Sequence, residues 1–231
     1  MFFKKKSPLK LEAYAPLGQL VDLFPIVHTK NALPSWYHNL LKFDDKQKNV
    51  RHCPGVGDLF RLGVMIPAWS DHEIVIYPDG RTNVRSPSSN NPVSSHNLNF
   101  DAPGAWPGYV NVKLLNPWML YCNKPVKWLF LSPTWCNSDP AEFTIVPGVL
   151  EFRVAHEANV NMLFKLKSEP YTVLIKAGDS LMQMIPITEE KFELEVKTMT
   201  QDILTEKFLP WNHSFNYGYQ KAISRIKKSV Q

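Results

Sequence analysis

The sequence has no apolar run approaching the ~20 residues that a membrane-spanning helix requires. Its basic start, MFFKKKSPLK, lacks the apolar stretch and small-residue cleavage site of a secretory signal, so export by that route is not expected. Cysteine is scarce. Cys53, Cys122 and Cys136 are odd in number and show no CxxC spacing, which argues against a disulfide framework or a four-ligand zinc site and fits a reducing compartment. Glycine-rich phosphate cradles are missing as well: Gly55-Val56-Gly57 has no third glycine, and no Gly-Lys-Ser/Thr follows. A structural bend is therefore expected over Arg51 to Asp58. There is no Gly-x-Ser-x-Gly elbow for a serine nucleophile, no internal repeat, and no linker that would divide the chain.

What remains is rich in strand signals. Aromatic residues make up 12% of the chain and hydrophobic residues 44%, a globular composition. Short β-branched and aromatic runs recur between Gly, Pro, Asn and Asp punctuation, which is the grammar of sheet. Leu9 to Ala15 reads as a first strand, and Leu33 to Leu41 as a helical turn opened by Pro34 and Ser35. Leu59 to Pro67 resumes as strand. Glu73 to Tyr77 and Arg81 to Arg85 flank Asp79-Gly80 as a hairpin. Val110 to Leu115, Trp118 to Tyr121 and Val126 to Leu131 follow, with Trp118, Trp128, Phe130 and Trp135 as core anchors. Alternation is clearest from Phe143 to Ile187, where Val160, Met162, Phe164 and Leu166 recur at a spacing of two and Gly178-Asp179 makes a reversal. Phe192, Leu194 and Val196 supply a last strand. From Thr200 the period becomes helical, with Phe215, Tyr219, Ile223, Ile226 and Val230 on one side of a helix capped by Ser214. The expected fold is mainly β: one domain over 1–231, a single β-sandwich or jelly-roll-like body at about 9–197 with a C-terminal amphipathic helix at 200–231.

The formal net charge is +5, concentrated at Lys4 to Lys6 and at Lys221, Arg225, Lys227 and Lys228. Such termini permit nucleic-acid contact through the phosphate backbone, but they carry no groove-reading geometry, so solvated ends are the favoured reading. Ser86 to Ser95 (SPSSNNPVSS) has the composition of a surface loop able to carry a contact. Two residue sets suggest chemistry. Asp71, His72 and His156, or His213 in place of the last, would hold iron or another divalent metal if the fold brought them together. His72-Glu73 and His156-Glu157 do not form the ligand pair by themselves, because adjacent strand residues face opposite sides. Trp118 is the aromatic that would make a ligand platform, against its reading as core. Without such convergence, no cofactor is expected.

Pro147-Gly148-Val149-Leu150-Glu151, Glu157-Ala158-Asn159 and Gly178-Asp179 to Gln183 are similar, in order, to the substrate strand and closing strand of dUTPases and dCTP deaminases. That resemblance implies a nucleotide pocket near Asp179 and Gln183. The serine-rich phosphate motif and glycine-rich C-terminal arm of those enzymes are missing here. A broader set of segments runs Leu33-Pro34-Ser35-Trp36-Tyr37, Cys53-Pro54-Gly55 with Asp58, Gly63 to Asp71, Asn116-Pro117-Trp118, Pro147-Gly148-Val149 and Gly178-Asp179 to Ile185-Pro186. Over about residues 24 to 187 this order resembles uncharacterised proteins of tailed phages of marine bacteria and cyanobacteria, related in turn to an uncharacterised bacterial β-rich domain family. The resemblance implies a phage protein with one β-rich fold and no carried-over catalytic residue. The leading expectation is a non-enzymatic binding or structural role, with a protein partner or homo-oligomer, in the host cytoplasm or the virion and not at a membrane. The alternative is a jelly-roll enzyme, metal-dependent and oxygenase-like or nucleotide-binding.

Overall fold

The computed structural model of the 231-residue chain describes residues 7–40, 49–87, 93–96, 106–133 and 142–208, with the backbone alone at 93–96. The chain is mainly β, and side-chain alternation decides which runs become strands. In β1 (Leu9–Ala15), Leu9, Leu11 and Ala13 are buried while Lys10 and Glu12 lie nearer the surface. In β9 (Lys127–Leu131), Trp128 and Phe130 turn inward and Lys127 turns out.

The described strands form four sheets. The first is non-local: β15 (Phe192–Thr198) runs parallel to β1, pairing Leu9 with Phe192 through Ala15 with Thr198, and β8 (Met119–Cys122) lies antiparallel on the other side of β1. The second follows the order β10 (Phe143–Ile145), β12 (Val160–Lys165), β7 (Tyr109–Leu114) and β6 (Val93–His96). The third follows β11 (Gly148–Glu151), β9, β14 (Ser180–Pro186), β3 (Val64–Pro67) and β2 (Val27–His28). The fourth sets β13 (Tyr171–Ile175) and β5 (Thr82–Arg85) on either side of β4 (His72–Ile76), all antiparallel. One cluster of buried side chains draws from every sheet, with Leu11, Val112, Trp128 and Ile74 among its members. Trp118 and Trp128 are fully enclosed in it, and burial of rings of this size contributes several kcal/mol each, on the order of 25 cal/mol per Å².

Helices are short connectors: α1 (Gly18–Leu23), α2 (Ser35–Leu40) and α3 (Pro54–Leu59). The last differs from the bend expected over Arg51 to Asp58. Pro54 occupies the first helical turn, where its missing N–H costs nothing, and a 3₁₀ turn at Val50–His52 precedes it, capped by the Asn49 side chain on Arg51 N–H at 3.0 Å. Pro54-Gly55 therefore starts a helix and does not close a turn. Strand β3 starts at Val64 and not at Leu59, because Gly63 turns the chain with φ of +73°. The end of the Ser86–Ser95 segment is strand, since β6 adds to the edge of β7 despite a composition poor in strand formers. After β15, Thr200 caps a turn at Gln201–Ile203 (α4), which widens into π turns over Leu204–Phe208. The expected amphipathic helix around Phe215 to Val230 lies outside the described residues, as do His213, Trp135, Cys136 and the basic clusters at both ends. Among the described residues no helix is long and apolar enough to cross a membrane.

Candidate functional site

Antiparallel pairing in the fourth sheet gathers the start of β4 with the ends of β5 and β13. Glu73 stands opposite Arg85 on one side and Leu174 on the other, and His72 stands opposite Ile175. A cleft of about 490 Å³ opens across these strand ends, with Asp71, His72, Arg85, Ser86, Leu174 and Lys176 in its walls. Period two divides those walls. Glu73, Arg85 and Leu174 share the outer face of the sheet, and His72 and Ile175 share the inner one. Leu174 is 68% exposed, an uncovered apolar side chain beside charges of both signs. The Arg85–Glu73 pair is long, 3.6 Å, and largely solvated, so it holds neither group tightly.

The two aspartates of the region are engaged with the backbone. Asp71 Oδ1 accepts from Ala177 N–H at 2.8 Å, and Asp179 Oδ2 accepts from Lys176 N–H at 2.9 Å. Gly178 N–H donates to the Ala68 carbonyl and Ala68 N–H to the Asp179 carbonyl, both at 2.8 Å. Three of these bonds pin the β13–β14 turn to the chain that leads into β4, and the fourth, Lys176 N–H to Asp179, closes the turn itself, which fixes one wall of the cleft. His72 is 1% exposed and edge-on to Trp69 at 5.2 Å. Its Nε2 is 3.4 Å from Ser70 Oγ, which lies 2.9 Å from Ser86 Oγ. Burial lowers the affinity of His72 for a proton, against the pull of neighbouring Asp71, so the imidazole is neutral at ordinary pH. Its Nδ1 is buried with no hydrogen-bond partner among the described residues.

The other residues singled out from the sequence stand elsewhere. His156 Nδ1 donates to the Leu120 carbonyl at 3.0 Å while Leu120 N–H donates to the His156 carbonyl at 2.8 Å, tying its loop to β8. Among the described residues no three His, Cys, Asp or Glu side chains stand close enough to hold a metal, so Asp71, His72 and His156 are not brought into one ligand set. Trp118 is fully buried, and its backbone N–H donates to Asn116 Oδ1 at 3.1 Å, so it is a core anchor and offers no platform to a ligand. Gln183 is 2% exposed, and its amide donates to the Leu59 and Leu62 carbonyls at 2.9 and 3.0 Å. That side chain braces α3 against β14, whereas Asp179 closes a turn at the head of the same strand.

Arg85, Leu174 and Lys176 carry no site signal in the sequence, whereas Ser86 opens the loop whose composition suits a contact. Only the pairing of distant strands brings Lys176 near Asp71, and no spacing along the chain announces it. Neither a family model, nor a curated protein, nor a solved structure matches this chain.

Proposed function

We propose that this is a phage-encoded binding or structural protein, a single β-sandwich or jelly-roll-like body that presents the cleft at the end of the β13–β4–β5 sheet to a protein partner or to a second copy of itself. The observation that supports this reading is the composition of the cleft walls: an exposed Leu174 framed by Arg85, Glu73, Asp71 and Lys176. An apolar anchor inside a polar rim is the arrangement on which protein contacts form. The residues that would carry chemistry in this region instead hold the scaffold, with Asp71 and Asp179 in turn bonds and Gln183 under α3.

The test combines light scattering of the purified chain with mass spectrometry of phage particles. The expected result is a dimer, or recovery of the chain from virions, in either case abolished by Leu174→Glu with the fold intact by circular dichroism. A strict monomer that is missing from particles, or an assembly indifferent to Leu174→Glu, would overturn the reading. A thermal shift with divalent metals or nucleotides would favour the enzymatic alternative.

A further inference from the structure

A second constellation lies where the chain leaves β15. The turns over Leu204–Phe208 deliver two consecutive side chains into a box built from β1, β8 and the His156 loop. The Lys207 ammonium donates to the Glu12 carboxylate and to the Tyr14 hydroxyl, the latter at 2.9 Å. It also lies over the rings of Tyr14 and Tyr121, at 5.4 and 4.9 Å from their centroids, within cation–π range. Phe208 is fully buried, edge-on to Tyr14 at 5.7 Å and to His156 at 4.8 Å. Tyr121 in turn stacks on His156 at 6.4 Å. The imidazole thus shares walls with both the cation and the phenyl ring of the seated segment.

We propose that this box is a proton-sensitive latch: neutral His156 retains the segment 201–208, and protonation of His156 releases it. The tautomer decides where the proton must go. A carbonyl only accepts, so the bond to Leu120 places the hydrogen on Nδ1, and an added proton must go to Nε2. That atom is buried and has no hydrogen-bond partner among the described residues. A charge there would be desolvated, with Lys207 already seated over Tyr121, the ring that stacks on it. Glu12 gives no relief, because Lys207 is bound to it. Withdrawing Phe208 admits water to the imidazole and removes the conflict.

The charged and titratable groups around the box come from each element packed there. They are Glu12 and Tyr14 of β1, Tyr121 of β8, Glu157 beside the imidazole, Lys207 itself, and Lys197 of β15, which acts on Glu12 and Tyr14. Burial holds the His156 proton affinity below that of an ordinary imidazole, while the Leu120 and Phe152 carbonyls and Glu157 oppose the shift without reversing it. Because the released state binds the proton better, retention is complete above the ordinary imidazole value of ~6.5 and weakens as pH falls below it. Coupling to one proton limits the change to about tenfold per pH unit.

Hydrogen–deuterium exchange of the full chain between pH 8 and 5, corrected for intrinsic exchange, tests this. Protection of 201–208 is expected to fall below pH ~6.5 by up to about tenfold per unit, while β12 stays protected. His156→Phe, or His156→Gln if the first does not fold, should flatten the profile. Glu12→Gln should weaken protection at every pH and keep the slope. A flat wild-type profile, a slope that survives in a folded His156 variant, or a slope that vanishes in Glu12→Gln would each overturn the proposal. Should neither His156 variant fold, the Glu12→Gln profile alone decides.

Discussion

Replacing Gly63 by alanine tests the packing of the chain against β14 of the third sheet. Gly63 has φ of +73°, and its carbonyl accepts from Thr29 N–H at 3.1 Å. A Cβ placed there would stand 1.9 Å from the Met184 carbonyl oxygen, 2.8 Å from its carbon and 3.0 Å from Ile185 Cα. All three atoms are backbone of β14, so no side chain can rotate away. Nor can the strand move freely, because Met184 pairs with Val64 of β3 on one side and Phe130 of β9 on the other. Two costs add. The left-handed backbone costs an alanine roughly 1–2 kcal/mol, and forcing atoms into a filled site costs roughly 1–3 more. Gly63→Ala should therefore lose about 2–5 kcal/mol, a large share of the ~5–15 that holds a domain together. Gly80 isolates the first cost, since its φ is +83° and an added Cβ would meet nothing within 4 Å. Urea unfolding of both variants should place Gly63→Ala at least ~1 kcal/mol below Gly80→Ala, by the overpacking cost alone. An insoluble Gly63→Ala beside a folded Gly80→Ala would carry the same meaning. Equal midpoints with equal slopes would refute the claim that β14 is fixed from both sides.

Gln183→Met keeps the volume but removes both donors to the Leu59 and Leu62 carbonyls, and should cost about 1–3 kcal/mol with faster amide exchange over 54–62. Thiol labelling should discriminate Cys53, which is exposed, from Cys122, which is buried and whose thiol burial pushes up; Cys122 should react only on unfolding, as mapped by mass spectrometry. His28, His72 and His156 all have lowered proton affinity, with burial the largest cause in each. The unfolded chain then takes up protons first, so Tm should hold above pH ~6.5 and fall as pH drops below it, and His72→Phe should shallow that fall. Glu195 carries the same sign into a lower window: hydrogen bonds from Lys10 and then Lys197 hold it at about 2. Its contribution is present above the ordinary carboxylate range and is lost on descent toward pH 2, so wild type and Glu195→Gln should converge in stability over that descent.

What is legible in the chain is whatever one strand encodes by itself. The alternation in Leu9–Ala15, Lys127–Leu131 and Val160–Lys165 reports which side of each run is apolar, and burial follows it except at Tyr14 and Leu163, which are buried on the opposite phase. The Asp79-Gly80 hairpin is legible for the same reason, because turn chemistry and register are both local there. Partnership between distant strands is not. Nothing in Phe192–Thr198 announces a parallel register with Leu9–Ala15, since the pairing uses backbone groups that every residue carries. The site obeys the same rule. Asp71, His72 and Asp179 draw notice by residue type, yet Asp71 and Asp179 engage their oxygens in the turn at Lys176–Asp179. In doing so they set Lys176 and Leu174 against the ends of β4 and β5, and those less conspicuous residues line the cleft. Polar side chains here join separate segments of the chain through the backbone. Gln183 ties a helix to a strand in the same way, with its amide given to the end of α3 and to the Leu62 carbonyl beyond it.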